Sequence, residues 1–318
     1  MSSNWLVTGH PNEDHVQWSM NGGFFLASER WSRVVRTLCK DVLFAWSETH
    51  EIGTIVPVFR KFGQHVAFVG FPLTSDPIDK LEDQDLQSLI LKLQKEHGIR
   101  LARVARGNRN QLDSPHQTAR RDFWISDLAS WKPGKRLRRD LKYAGRKSAG
   151  LLITPYLADP EAAYRLYTST LKAHGAKPRY TNEYFHALAA ADQSAQDVAA
   201  LSAIDKSKNL VAFAIMVRHG KWAYYLHGAA NEVGRKASVS DLLLESIIEK
   251  ARDLGCKRFS MMASPWNQPG LCNYKSKWCN QSGLATTFDQ GTGLIGKVMS
   301  AASFIMRRKE RKYAEKFK

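Results

Sequence analysis

The segment at positions 270–278, Gly-Leu-Cys-Asn-Tyr-Lys-Ser-Lys-Trp, holds the residues whose types and spacing best suit chemistry. It follows a predicted strand at 257–262 and a turn that is bracketed by prolines. Its large side chains recur at the spacing of a helical stripe: Leu271, Tyr274 and Trp278. We therefore predict a helix over 270–280 with Lys275 near its start, where an ammonium group suits a phosphate or a developing oxyanion. An ordinary solvated lysine is the alternative.

A second group of cations lies in the middle of the chain, at 135–147. There Leu137, Leu141 and Ala144 share one face of a predicted helix. The outward side chains are cationic: Arg138, Arg139, Lys142 and Arg146. Because guanidinium groups bind phosphate through paired hydrogen bonds, this row suits a series of phosphates. A surface helix stabilised by ion pairs is the alternative, but the segment offers Asp140 as its single counter-charge.

A proton acceptor is harder to find in the sequence. His227, at the end of a predicted strand at 222–227, is the first choice because an unperturbed imidazole titrates near neutral pH. A structural histidine is the alternative at this position. Asp241 falls in the first turn of a predicted helix, where a carboxylate suits the helix dipole. No Ser-His-Asp order, carboxylate pair or metal-binding cluster competes with these residues, and we predict no metal site.

The elements that must position these residues follow one order twice along the chain. In each half, helical sequence precedes three short strands, then an amphipathic helix that ends at a glycine, then further strands. The first half starts with a predicted helix near 25–39. The strand triplets are predicted within 42–69 and 199–227, and the amphipathic helices at 83–96 and 238–254. The predicted fold is therefore α/β (α+β), with mixed, mostly antiparallel sheets flanked by helices.

The pattern Gly-Leu-x-x-Tyr-Lys-x-x-Trp at 270–278 and the basic helix at 135–147 resemble the Fem-type (FemABX) aminoacyltransferases, relatives within the GNAT (N-acetyltransferase-like) superfamily. The resemblance implies tandem GNAT-like domains that transfer an activated acyl or aminoacyl group to an amine. In that role Lys275 would stabilise the tetrahedral oxyanion or bind an acceptor phosphate. Tyr274 would position Lys275 or stack on a base. The implied donor is aminoacyl-tRNA, with acyl-CoA as the alternative and no permanently bound cofactor.

Two positions depart from the patterns of such enzymes. Acyl-CoA enzymes place an Arg/Gln-x-x-Gly-x-Gly/Ala loop at the strand-to-helix junction, where its N–H groups cradle the pyrophosphate. Here Gly234 matches, whereas Asn231 and Lys236 do not. We predict that Arg235 and Lys236 bind phosphates of another donor. Many Fem-type relatives also carry an acidic residue in the strand at 257–262, where this chain has none. A non-catalytic RNA- or membrane-binding protein on such a scaffold is therefore a further alternative.

The length of the chain and its net charge indicate how many domains it has and what kind of partner it binds. A chain of 318 residues suits two domains. The predicted segments are two GNAT-like domains at 1–130 and 151–290, a basic inter-domain helix at 131–150 and a basic C-terminal tail at 291–318. The net charge is +17, and most of it lies in 132–147 and 297–318. We therefore predict a polyanionic partner such as tRNA or a phosphorylated or lipid-linked precursor.

The C-terminal segment raises a second possibility for that partner. Apolar residues precede Arg307, Arg308 and Lys309, a pattern that suits contact with an anionic membrane. We expect instead that this helix packs on the second domain and leaves a basic tail. No stretch is long and apolar enough for a spanning helix, and the N-terminus lacks a signal-peptide pattern. We thus predict a cytoplasmic protein, with peripheral contact at the inner membrane face as an option.

Overall fold

The computed structural model describes residues 4–70, 81–109, 117–173, 175–194 and 196–315. The first elements are β1 (Trp5–Thr8), α1 (Glu13–Asn21), α2 (Glu29–Val35), β2 (Asp41–Ser47), β3 (Ile52–Lys61), β4 (Gln64–Val69), α3 (Asp83–Glu96), β5 (Leu101–Arg109), β6 (Thr118–Ile125) and α4 (Lys135–Lys147). They are followed by β7 (Leu152–Thr154), α5 (Pro160–Ala173), α6 (Asn182–Ser194), β8 (Val198–Ile204), β9 (Leu210–His219), β10 (Trp222–Ala230), α7 (Glu232–Lys236), α8 (Val239–Asp253), β11 (Arg258–Ser260), α9 (Pro269–Ser276), β12 (Gln281–Gly291) and α10 (Gly293–Glu315).

The chain divides into two compact units that are not continuous in sequence. Unit 1 comprises Met1–Phe123, Ala263–Ser276 and Gln281–Lys318. Unit 2 comprises Trp124–Met262 and Lys277–Asn280. α9 and β12 therefore belong to unit 1, although the sequence prediction assigns both to the second domain.

Unit 1 is built on an antiparallel meander of β2, β3 and β4, followed by α3 and then by β5, which runs parallel to β4. α3 buries the apolar stripe that its sequence predicts: Leu86, Leu89, Ile90 and Leu93. These side chains join Val56, Ala67 and Val104 of the strands in one core. Parallel neighbours need a crossover connection, and α3 supplies it.

Unit 2 repeats this order of elements. β8, β9 and β10 form an antiparallel meander, α8 follows, and β11 runs parallel to β10. α8 packs on the three strands of the meander. Consecutive residues of β9 from Leu210 to Val217 are all buried, and since successive side chains point to opposite faces, both faces of this strand are covered.

The closing strands of the two repeats are exchanged. β6 follows β5 in sequence, but its last two residues pair with β11 of unit 2. β12 follows β11, but it pairs antiparallel with β5 of unit 1, from Gly291 opposite Leu101 to Leu284 opposite Arg109. In unit 1, β5 is therefore paired by a strand from the far end of the sequence, which makes this unit discontinuous. Unit 2 is discontinuous because the chain leaves it after Met262, forms α9 in unit 1, and returns for Lys277–Asn280.

Several elements differ from the sequence prediction. The predicted helix near 25–39 is a short 3-10 helix at Phe25–Ala27 followed by α2, because the Ser28 hydroxyl accepts a hydrogen bond from the Trp31 N–H and starts a new helix. Four elements of the structure were not predicted from the sequence: β1, α1, β7 and α7. These elements are short and depend on tertiary contacts, as when β1 pairs with β2. α10 packs on β12, most of which the sequence prediction assigns to the second domain, and on β5. Within the described ranges, no helix has the length and apolar character needed to cross a membrane.

Candidate functional site

The two parallel strands of unit 2 diverge and leave a gap. β11 pairs with β10 over three residues of each strand, Arg258–Ser260 opposite Trp222–Tyr224. β10 then continues to Ala230, with a bulge between Tyr225 and His227 in its pairing with β9. In the part of the chain that the structure describes, the β11 side of β10 has no strand beside it from Tyr225 onward. Backbone groups along such an edge can bind an extended ligand.

His227 lies in an aromatic cluster beside this gap and is 8% exposed. Its Nε2 is 3.1 Å from the Tyr184 hydroxyl. Four aromatic rings lie 4.7 to 6.0 Å from its ring, centroid to centroid: Tyr167, Tyr180, Tyr184 and Phe185. Burial lowers the pKa of His227 to about 3. The imidazole is therefore neutral at pH 7 and a very weak base, which argues against the predicted role as proton acceptor.

The junction between β10 and α7 holds the glycine that the sequence predicts as part of a phosphate site. Asn231 caps α7, and its Oδ1 accepts a hydrogen bond from the Gly234 N–H at 3.0 Å. Gly234 is buried, and a Cβ on it would lie 2.6 Å from the Val211 carbonyl oxygen. The glycine thus lets α7 pack closely on β9, and its N–H is satisfied within the protein. A pyrophosphate cradle that uses this N–H does not fit the geometry.

The two cations of α7 are exposed and have short contacts of their own. Arg235 donates a hydrogen bond to the Ala230 carbonyl at 2.8 Å. Lys236 forms an ion pair with Glu232 at 2.7 Å. Arg235 therefore stabilises the end of β10, and both cations keep part of their surface open to solvent and to anions.

Next to the bulge, the fold assembles three polar residues that sequence reasoning misses as a group: Tyr225, Asp241 and Lys277. The Lys277 Nζ lies 2.9 and 3.1 Å from the two carboxylate oxygens of Asp241, whose side chain is 13% exposed. Burial, together with the Asp241 charge, raises the pKa of the Tyr225 hydroxyl. That hydroxyl lies against Gly228, where any side chain would collide with it. A carboxylate and an ammonium thus form an ion pair, and the carboxylate acts electrostatically on a phenol of the strand segment where β10 leaves β11.

Lys275 and Tyr274 lie in unit 1, on α9. This helix begins at Pro269, a residue suited to the first helical position, and ends at Ser276. Lys275 is therefore in the last turn and not near the start, where the sequence prediction puts it, and the N-terminal dipole does not act on it. A cation in the last turn is instead stabilised by the C-terminal end of the dipole. The residue is 7% exposed, which excludes an ordinary solvated lysine.

α4 presents the cationic face that its sequence predicts. Leu137, Leu141 and Ala144 are buried, and the helix packs on α8. The four predicted phosphate-binding residues are all exposed: Arg138, Arg139, Lys142 and Arg146. The Ser148 hydroxyl donates a hydrogen bond to the Ala237 carbonyl at 3.1 Å, which joins the C-terminal ends of α4 and α7. The cations in the last turns of these two helices therefore lie close together on unit 2.

Comparison with known proteins agrees with this architecture. Residues 134–276 match the family described as acetyltransferase (GNAT) domain. FemX is similar in structure, with a TM-score of 0.61 and 11% identity over 88% of this chain and 96% of FemX. So is the C-terminal domain of a protein described as a lysylphosphatidylglycerol synthetase from Agrobacterium fabrum, with a TM-score of 0.54 and 16% identity over 92% of this chain and 96% of that one. A tandem GNAT protein from the clavulanic acid biosynthesis pathway has a TM-score of 0.51 and 10% identity over 92% of this chain and 100% of that one.

No curated protein matches the chain by sequence. The fold and the domain match define an acyltransferase of the GNAT fold, built from two GNAT-like repeats. Residues 134–276 match the acetyltransferase (GNAT) domain family, and the chain as a whole is similar in fold to FemX. The fold class and the family that the sequence predicts are thus confirmed.

Proposed function

We propose that this protein is an aminoacyltransferase that takes an activated aminoacyl group from aminoacyl-tRNA and passes it to an acceptor amine. One observation carries the proposal: the exposed cationic face of α4 meets the cationic last turn of α7 at the Ser148–Ala237 hydrogen bond. A cationic surface of this extent suits the phosphate backbone of a large polyanion. The gap along β10 lies at the other end of α7 and offers a place for the acylated end of the donor.

Acyl-CoA is the second candidate donor. The acetyltransferase domain match of residues 134–276 favours it, and the free edge of β10 suits a chain with amide groups. The donor phosphates are the obstacle, because the Gly234 N–H donates to Asn231 and Lys236 stands where acyl-CoA enzymes have a small residue. For this reason we place aminoacyl-tRNA first.

In the proposed reaction, the lone pair of the acceptor amine attacks the carbonyl carbon of the aminoacyl ester. A C–N bond forms, the C–O bond to the terminal ribose of tRNA breaks, and a proton moves overall from the amine to the ribose oxygen. Asp241, with Lys277 and Tyr225 beside it, is the proposed group for this proton transfer, since a carboxylate accepts a proton and a phenol donates one. On unit 1, Lys275 is proposed separately, from its sequence pattern, as the ligand of an oxyanion or of an acceptor phosphate, and Tyr274 as its positioning residue. Loss of one oxyanion donor typically raises the barrier by about 3 kcal/mol.

Binding of labelled total tRNA and of acetyl-CoA, measured over a salt series, tests the donor. The test variant is Arg139→Glu/Lys142→Glu on α4. The matched control is Lys221→Glu/Lys257→Glu, which makes the same change in charge at exposed positions just before β10 and β11, at the far end of β10 from α7. We expect salt-dependent tRNA binding whose slope of log K against log salt falls by about 2 in the test variant. The control is expected to stay near wild type.

Two outcomes contradict the proposal. Saturable acetyl-CoA binding, with tRNA affinity weak and equally affected in both variants, would assign the donor to the acyl-CoA class. Binding of neither compound would leave the aminoacyl-transfer proposal without a donor and favour the alternative of a scaffold that lacks this activity.

A further inference from the structure

A second surface, on unit 1, exposes large apolar side chains that the proposed reaction does not use. They lie on α10 and have these exposed fractions: Leu294 80%, Ile295 53%, Val298 60%, Ile305 69% and Met306 78%. At 3.6 residues per turn, the five positions fall on one side of the helix. Single exposed apolar residues are ordinary, but a continuous row of this kind marks an interaction surface.

The opposite side of α10 is fixed to the sheet of unit 1. The backbone at Gly296 approaches the Arg100 carbonyl so closely that a Cβ would collide with it. The Ser303 hydroxyl accepts a hydrogen bond from Arg103 at 2.7 Å. Arg103 also forms a two-point ion pair with the Asp289 carboxylate at 2.7 and 2.8 Å. Rotation of α10 would break these contacts, so the apolar row is held outward.

An aromatic side chain at the tip of the β3–β4 hairpin adds to this surface. Phe62 is 94% exposed and has a φ of 49°, followed by Gly63 with a φ of 75°. A two-residue turn with positive φ at both positions favours Asn, Asp or Gly at the first one. Phenylalanine is strained there, and at this exposure its ring gains almost no packing within unit 1. The side chain is therefore available to an external partner.

The hairpin tip and the start of α10 lie at the same end of the sheet. The Arg100 N–H donates to the His65 carbonyl at 3.0 Å, and the Arg100 carbonyl accepts from the Thr292 N–H at 2.9 Å. His65 and Thr292 therefore flank Arg100 across two strand spacings, about 10 Å. Phe62 lies three residues before His65, at the hairpin tip, and Leu294 lies two residues after Thr292, in the first turn of α10. The exposed ring and the start of the apolar row therefore lie at the same end of the sheet of unit 1.

We propose that Phe62 and the apolar row of α10 form a docking surface for an anionic lipid bilayer. Exposed cations border both parts: Arg60, Lys61 and Lys297. Apolar side chains that reach the acyl boundary, with cations at the level of the phosphates, are the chemistry of peripheral binding to anionic lipid. A second copy of this chain would bring like charges together, and an apolar protein groove would leave the cations without a function.

Vesicle sedimentation tests the docking surface with the full-length protein. The probes are vesicles of phosphatidylcholine alone and of phosphatidylcholine with phosphatidylglycerol. The test variant is Phe62→Ser/Leu294→Ser, and the matched control is Met20→Ser. Met20 is 73% exposed on α1, which packs near Gly53 at the opposite end of β3 from Phe62. All three substitutions are at exposed positions, and thermal melting checks that the fold is unchanged.

We expect wild type to bind the anionic vesicles at least about tenfold more tightly than the neutral ones. The test variant is expected to lose about tenfold or more of this partition coefficient, while Met20→Ser keeps it. Equal binding to both vesicle types, no binding to either, or a test variant that binds like wild type would overturn the proposal. A dimer in solution that the test variant abolishes, without vesicle binding, would assign the surface to a second copy. No tRNA or CoA is present, so the result does not depend on the proposed aminoacyl transfer.

Discussion

Burial decides which titratable groups beside the β10–β11 gap can take part in proton transfer. His227 is held neutral by its aromatic neighbours, with a pKa of about 3. Burial likewise raises the pKa of the Cys256 thiol to about 11, so this cysteine is a poor nucleophile. Asp241 is different, because Lys277 supplies a counter-charge at 2.9 Å. This ion pair is the feature that distinguishes Asp241 from the two buried groups.

At the scale of single residues, His227→Gln is expected to reduce the loss of folding stability that the protein shows as the pH falls. The pKa of His227 is about 3 in the folded protein against 6.5 as the reference, so as the pH falls the unfolded chain takes up the proton first. The stability that the neutral ring contributes is present above the unfolded pKa and is lost as the pH drops from 6.5 towards 3. Between pH 7 and pH 5 this loss is about 2 kcal/mol. Urea unfolding at both pH values measures it.

The control for this prediction is His186→Gln, at an exposed position of α6. Wild type and His186→Gln should lose stability to a similar degree between pH 7 and pH 5, and His227→Gln should lose less. An identical loss in all three proteins would show that the buried ring does not titrate as its environment indicates.

At the scale of elements, two helices shape the site through their glycines and caps. α7 sits close to β9 because Gly234 has no side chain and because Asn231 caps the helix. The gap exists because β11 ends at Ser260 and the backbone turns at Met262, whose φ is 60°. α4 meets the C-terminal end of α7, so the cations of both helices gather at the end of α7 that is farther from β10.

Gly234→Ala is expected to destabilise the protein by about 1 to 3 kcal/mol, because the added methyl would lie 2.6 Å from the Val211 carbonyl oxygen. Gly145→Ala is the matched control. It places the same methyl in the interior of α4, where no other atom lies within 4 Å, and alanine is a better helix former by about 1 kcal/mol. Thermal unfolding of both variants checks the prediction. Opposite signs are expected, and a neutral or stabilising Gly234→Ala would contradict the close packing of α7.

At the scale of the whole molecule, the exchange of closing strands makes each unit depend on both halves of the sequence. β12 lies far from β5 along the chain, yet the two strands pair from Leu101 to Arg109. Exposed cationic residues lie on two surfaces: on α4 and α7 in unit 2, and beside α10 in unit 1. We propose a different polyanion for each, tRNA for the first and anionic lipid for the second.

Deletion of residues 281–318 is expected to expose β5, because it removes the strand that pairs with it. Hydrogen exchange of the amides at 101–109 should become faster by at least about tenfold, since these amides lose their protection against local opening. The control is deletion of 307–318, which keeps β12 and the start of α10. Equal protection of β5 in both truncated proteins would contradict the exchange of closing strands.

The sequence by itself determined the elements whose stability is local. The bounds of α3 and α4 and their buried stripes follow from apolar spacing and from the residues at their ends, and the repeated order of elements was enough to predict two GNAT-like repeats. The cationic face of α4 could be predicted because periodicity alone separates its two faces. About half of the candidate site, namely α4 and the β10–α7 junction, could be located in this way.

Only the tertiary structure decided the rest, because it depends on contacts between residues far apart in the chain. Asp241 and Lys277 are 36 residues apart, and no local pattern brings them together. The aromatic neighbours that bury His227 come from α5, from α6 and from the loop between them, so the spacing of His227 in β10 could not reveal its pKa. α9 ends at Ser276, four residues before the predicted end, and this end places Lys275 in the last helical turn. In the same way, the close approach of Gly296 to the sheet decided that the apolar row of α10 faces outward.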